Sequence, residues 1–136
     1  MSMLYEKNPL LQTTTKIVMM QDLNPYGNLF GGTLMGWMDQ VALMLAVRYT
    51  RQHCVTAKFS EISFKEPVQL KDMVELLAKI VKVGTTSITI EITAYKLCFR
   101  CTEPTLVASA TAVFVALNDE GRPEPIIAAP MFEVEN

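Results

Sequence analysis

Between Leu29 and Val47 the chain runs through nineteen mostly apolar or small residues and admits a single acid, Asp39. An ionised carboxylate in apolar surroundings is costly unless it is paired. An acid kept there either accepts hydrogen bonds as a structural group or does chemistry, as a base or as a nucleophile toward an electrophilic carbon. A second constellation is CFRC, Cys98 to Cys101, with His53 and Cys54 upstream. Its composition suits a redox pair or a zinc site. If the strand leading into it continues, however, cysteines three apart project to opposite faces, and the neighbours His53 and Cys54 diverge as well. Neither a redox pair nor a metal is therefore expected.

Elements must position these groups. Thr13 to Met20, rich in β-branched residues, reads as a first strand, followed by the turn-prone QDLNPYGN. A helix starts near Gly31 or Gly32 and runs to about Arg51, with Arg48 and Arg51 suiting its C-terminal end. Four further strands are expected: Cys54 to Phe64, Met73 to Val83, Ser87 to Leu97 and Thr105 to Leu117. In the third of these, Ile88, Ile90, Ile92 and Ala94 alternate with Thr89, Glu91, Thr93 and Tyr95, the period of a strand with one face buried. VGTTS, Val83 to Ser87, reads as a hairpin turn in which Gly84 takes the difficult backbone geometry. KEPVQLKD is a connection broken by Pro67. The helix is apolar nearly all round and cannot bury itself against a flat neighbour, so a curved sheet must wrap it. The last strand is apolar or small on both faces, which suits a central strand or one joined to another subunit.

The 136 residues, half of them hydrophobic, predict one domain over 1–136, with 118–136 as a C-terminal extension draped on the surface. Twelve basic and fourteen acidic residues leave a net charge of -2, so no general attraction to nucleic acid or anionic lipid is expected. Asp39 and three glycines weaken the apolar run as a membrane span. The start lacks the pattern of a signal peptide, and the three cysteines are an odd number, so a cytoplasmic protein with reduced thiols is expected.

Four pieces in register, NPYGNLFGGTLMGWMD, VTAKFSEISFKEPV, KVGTTSITIEI and ASATAVFVALNDEGRP, resemble the hot-dog acyl-CoA thioesterases of the cytosolic acyl-CoA hydrolase type. The likeness extends over Thr13 to Pro123. It implies an α+β hot-dog fold, with a curved antiparallel sheet of five or six strands wrapped around one long central helix. It also implies hydrolysis of acyl-CoA to a free acid and coenzyme A without metal or cofactor, and homodimers that build hexamers. The family's catalytic aspartate, seven residues after its Gly-Gly pair, falls on Asp39, and its partner asparagine falls on Asn24.

Such a reaction needs donors for the developing oxyanion and a dry channel for the acyl chain. Backbone N–H groups near Gly31 and Gly32 are candidates for the first, and Met35, Met38, Leu43 and Met44 for the second. The resemblance places the nucleotide at the KVGTTS turn, with Lys82, Gly84, Thr85, Thr86 and Ser87 as candidate contacts. Thr85 stands where the family commonly has arginine. Ser60 and Lys71 also depart from the pattern, replacing an acid or amide and a glycine. From Gly32 to Asp39 along a helix is about 10 Å, at roughly 1.5 Å per residue. One helix cannot bring both ends of the machinery to one carbonyl, so a composite site with a second copy is expected. Three rival readings are an acyl-CoA-binding sensor without turnover, a thioesterase acting on carrier-protein thioesters, and a hot-dog dehydratase using His53. The motif of that last family is missing around His53.

Overall fold

The structure is a computed structural model and describes residues 8–127. The residues before Asn8 and the end of the predicted extension, 128–136, lie outside that range. Strand β1 (Leu11–Ile17) leads through a short 3-10 turn, Met20–Asp22, into helix α1 (Gly31–Thr50). There follow β2 (His53–Phe59), β3 (Ser63–Phe64), β4 (Met73–Val83), β5 (Ser87–Leu97) and β6 (Thr105–Leu117). All pairings are antiparallel, in the order β1-β4-β5-β6-β2, with the two-residue β3 also on β6. One long helix on a curled sheet of six strands is the hot-dog arrangement.

Alternation decides which face of the sheet meets the helix. Val74, Leu76, Ala78 and Ile80 of β4, and Ile88, Ile90, Ile92 and Ala94 of β5, are buried together with Phe114 and the alanines of β6. From α1 the core takes Leu34, Met38, Val41, Ala42, Leu45, Ala46 and Thr50, spaced by three, four and one so as to form one stripe. Trp37 packs at its margin. Burial stabilises each large side chain by about 1.5–3 kcal/mol.

The curled sheet wraps the helix as expected, along one stripe. Met35, Met44 and Val47 remain 41–44 % exposed. One copy of the sheet covers a single stripe, and the apolar remainder looks outward.

Other boundaries also move. The first strand ends at Ile17 because Val18 turns to exchange backbone hydrogen bonds with Lys71 and Asp72, and the Asp22 carboxylate accepts the Met19 N–H at 2.9 Å. The expected strand from Cys54 to Phe64 is divided. Its register slips between Thr56 and Lys58, leaving Ala57 unpaired, and regular pairing stops at Phe59. Ser60 then bridges the gap: its N–H donates to the Thr111 carbonyl, and its hydroxyl accepts the Thr111 N–H at 2.8 Å.

Gly84 does not adopt positive φ; a side chain there would instead meet Ser87 Oγ at 3.0 Å. Lys71, where the family resemblance leads one to expect glycine, sits at φ 73°. β5 stops at Leu97, so CFRC is a turn rather than a strand. Cys98 and Cys101 therefore do not diverge but are joined as a disulfide, contrary to the expectation of reduced, separated thiols.

Beyond β6 the chain folds back: Glu124 N–H donates to the Ala116 carbonyl and Ile126 N–H to the Thr85 carbonyl. Gln52 holds the same segment through Glu124 at 2.7 Å and through the Ile127 N–H. Among the described residues no helix is long and apolar enough to cross a membrane.

Candidate active site

Asp39 occupies the ninth position of α1, at the border between the buried stripe and the outward face, and is half-buried in the single chain. Its Oδ1 accepts a hydrogen bond of 2.8 Å from Thr56 Oγ1 on β2. The pairing follows from topology. β2 follows α1 after a two-residue connection and runs back along it as the last strand of the sheet. The ladder slip directly after Thr56 re-aims the strand at this point. Thr56 was missed by sequence reasoning. The available signal was the need of the Asp39 carboxylate for a donor, and the first hydroxyl on the strand after the helix was the place to look.

β2 pairs with β6 on one side and, among the described residues, with no strand on the other, and Val55, Thr56, Ala57 and Lys58 are all exposed. Such an edge is a template for another strand. It flanks Asp39 on one side, and the exposed Met35 stands one helical turn before Asp39.

Asn24 lies in the loop before the helix. Its Oδ1 accepts the N–H groups of Tyr26 at 2.9 Å and Asn28 at 3.1 Å, an Asx turn that the chain closes with Asn24 N–H to the Asn28 carbonyl. Gly27 takes φ 86° at the turn's tip. Because Oδ1 is fixed by two donors, the amide plane is set, and Nδ2 donates to no group among the described residues. Asn24 thus shapes the loop and also presents a free donor.

The helix begins at Gly31 behind Phe30, whose side chain gives no cap, so the first-turn N–H groups have no side-chain acceptor. Neighbouring rings stand close over both glycines: a Cβ on Gly31 would stand 3.3 Å from Phe64 Cζ, and one on Gly32 would stand 3.1 Å from Phe30 Cε2. Beside Gly31 opens a groove of about 410 Å³, lined by Leu29, Leu34, Phe64 and Val68 and by the polar backbone of Lys65 to Pro67.

Several expected members are not brought together. Met38 is fully buried in the core and cannot touch a ligand, whereas Met35 faces outward. The turn with Lys82, Gly84, Thr85, Thr86 and Ser87 makes no hydrogen bond to Asp39, Asn24 or the helix start. It lies two strands from Thr56: Thr56 is opposite Phe114, which is opposite Ile88. Its carbonyls at Thr85 and Thr86 accept from Ile126 and Ala116. His53 and Thr56 are three apart on β2 and point to opposite faces, so His53 does not share the Asp39 site. Among the described residues no three His, Cys, Asp or Glu side chains cluster as metal ligands.

An acid fixed by a hydroxyl, an oriented amide, open N–H groups and an apolar groove are the parts of an acyl-transfer site. Residues 26–97, more than half of the chain, match the thioesterase superfamily. A protein of Zymomonas mobilis called an uncharacterised acyl-CoA thioester hydrolase is 37% identical over 107 residues, covering 79% of this chain and 72% of that one. An acyl-CoA hydrolase of Bacillus cereus superposes with a TM-score of 0.83 at 32% identity, covering 88% of this chain and 73% of that one. An acyl-CoA hydrolase of Staphylococcus aureus superposes with a TM-score of 0.82 at 28% identity, covering 87% of this chain and 72% of that one, in complex with butyryl coenzyme A, coenzyme A and coenzyme A disulfide. That hydrolase is also known as mutants with one asparagine, one aspartate or one threonine changed to alanine. A Yersinia pestis thioesterase with a TM-score of 0.79 at 29% identity, covering 85% of this chain and 93% of that one, is hexameric. This chain belongs to the thioesterase superfamily, among its acyl-CoA thioester hydrolases of hot-dog fold.

Proposed function

We propose that the protein hydrolyses acyl-CoA thioesters to a carboxylic acid and coenzyme A, with Asp39 activating the attacking water and no metal or cofactor taking part. The observation that carries the assignment of residues is the Asp39–Thr56 hydrogen bond. Asn24, Asp39 and Thr56 are spaced by fifteen and seventeen residues, and the asparagine, aspartate and threonine changed in the Staphylococcus aureus hydrolase have the same two spacings. Thr56 holds Oδ1 and leaves Oδ2 to take a proton from water. The water attacks the thioester carbon, and the oxyanion is met by N–H groups at Gly31 and Gly32 and by Asn24 Nδ2. The collapse of that intermediate expels the thiolate of coenzyme A.

Within one chain, Asp39 and the Gly31–Gly32 turn are too far apart along the helix to serve one carbonyl, and each lacks its counterpart. A second copy running the other way supplies it. Strand pairing along the free edge of β2 and contact between the outward faces of α1 would set Asp39 of one copy against Asn24 and the glycines of its partner, cover Met35 and Met44, and exclude water. The minimal active unit is a homodimer, and the hexameric relatives support a trimer of such dimers. Coenzyme A would lie across the interface toward Lys82, Gly84, Thr85, Thr86 and Ser87, where hydroxyl and ammonium donors stand in for the usual arginine. Action on a small soluble thioester fits a cytoplasmic enzyme.

The test is thiol release from a panel of acyl-CoAs, short to long chain, by the wild type and Asp39→Ala. A fall of about 10²-fold or more with folding and oligomer size unchanged is expected from loss of a positioned base. Equal rates would sink the assignment of Asp39, and binding without turnover would make the protein a sensor.

A further inference from the structure

The CFRC turn takes no part in the reaction proposed above. Cys101 N–H donates to the Cys98 carbonyl at 3.1 Å, and this turn sets the two Cα atoms 5.0 Å apart, within the range a disulfide spans. Cross-linking residues three apart in sequence removes little freedom from an unfolded chain, so the bond does little for the fold. It is also accessible: Cys101, Phe99 and Arg100 are exposed, and Cys98 is half-buried. The Arg100 guanidinium lies over the Phe99 ring, 5.9 Å from its centroid. Cys54 is the contrasting case. It is half-buried on β2 against Thr50 Oγ1 at 3.4 Å, and burial pushes its thiol pKa up, which keeps it protonated and slow to exchange.

The turn closes the end of the sheet that carries one wall of the groove. Lys96, two residues before Cys98, donates through Nζ to the Pro67 carbonyl at 3.0 Å. On β6 the Val107 carbonyl accepts the Lys65 N–H at 2.8 Å, which extends the β3–β6 ladder into the wall. Two of the three hydrogen bonds that hold the Lys65–Val68 wall therefore hang on the strand ends that the Cys98–Cys101 turn joins; the third, from the Leu29 N–H to the Val68 carbonyl at 2.7 Å, comes from the loop before α1.

We infer that Cys98 and Cys101 form a reversible dithiol–disulfide site for low-molecular-weight thiols, and that its state governs how firmly the groove wall is held. A thiolate attacks Sγ of the exposed Cys101, forming a mixed disulfide and releasing Cys98 as thiolate. A second thiolate then frees Cys101 and leaves as the external disulfide, so two thiols are oxidised while the protein disulfide gains two electrons. In the reverse direction a low-molecular-weight disulfide is the oxidant.

The full chain equilibrated across glutathione buffers, quenched in acid, unfolded and labelled with maleimide tests this by mass. The labelled species should pass from three labels to one as the buffer becomes oxidising, and Cys98→Ser should instead carry glutathione on Cys101. Three labels in every buffer, or wild-type protein accumulating glutathione without pairing, would overturn the site. On the same samples, the KM for butyryl-CoA, followed by loss of thioester absorbance, should rise by about threefold or more on reduction with kcat unchanged, and should not respond to the buffer in the Cys98→Ser, Cys101→Ser double variant. An identical KM in both states would overturn the link to the groove. That second readout rests on the hydrolase reading. The labelling does not, so a protein that pairs its cysteines but hydrolyses nothing would refute only the former.

Discussion

Replacing Thr56 by valine removes the hydroxyl that holds Asp39 while keeping the shape and strand preference of the side chain. In the free chain both partners are accessible, so the bond contributes little to folding, and the change in stability should stay within about 0.5 kcal/mol, as for other surface substitutions. In the assembled site the partner copy excludes water from the pair. A hydrogen bond to a charged group is then worth about 1.5–3 kcal/mol. At about 1.4 kcal/mol per factor of ten, kcat should fall roughly 10- to 100-fold if that bond is what keeps Oδ2 aimed at water. Because Thr56 touches Asp39 and not the substrate, KM should be nearly unchanged. The assay is steady-state turnover of butyryl-CoA by thiol release, with thermal unfolding and oligomer size measured alongside, and with Thr56→Ser, which restores the hydroxyl, as the control. A kcat for Thr56→Val within about twofold of wild type would refute the reasoning, as would a loss that Thr56→Ser shares in full.

Asn24→Asp keeps an oxygen for the Asx turn but replaces the amide donor by a carboxylate that repels the oxyanion, so unfolding temperature should hold while kcat drops by about 10²-fold or more; Asn24→Ala should lose both stability and activity. Lys71→Gly should raise stability by about 0.5–1 kcal/mol, since glycine takes the positive φ at that position without the clash of a Cβ, read as a higher midpoint in urea. Met38→Ala should cost about 2–5 kcal/mol in the same titration because it empties a fully buried site, whereas Met35→Ala should change KM for longer acyl chains and leave the midpoint nearly where it was.

The elements were legible where a single physical pattern decides them. The alternation of Ile88, Ile90, Ile92 and Ala94 gave β5 its face, and the apolar stretch ending at Arg51 gave α1 its length. Strand ends were not legible, because they depend on what the partner strand does. The slip after Thr56 divides the expected second strand, and the stop at Leu97 turns CFRC into a loop; neither has a signature in its own residues. The wrapping of the helix by a curled sheet was legible in its apolar composition. An apolar helix must be covered, but its composition does not say how much of the cover is its own sheet, and Met35, Met44 and Val47 stay exposed. Asp39, Asn24, Gly31 and Gly32 were found as types at a spacing. Thr56 is a contact across a sheet edge, and such contacts are written in the fold.

The claim on which the mechanism stands is that each site is shared between two copies, and mixing two crippled chains tests it directly. Asp39→Ala and Asn24→Asp should each be nearly inactive alone. Co-expressed in equal amounts, half of the dimers should be mixed, each with one intact site, and activity should recover to about a quarter of wild type. A mixture no more active than the sum of its two parents would place Asp39 and Asn24 in the same chain's site and contradict the account.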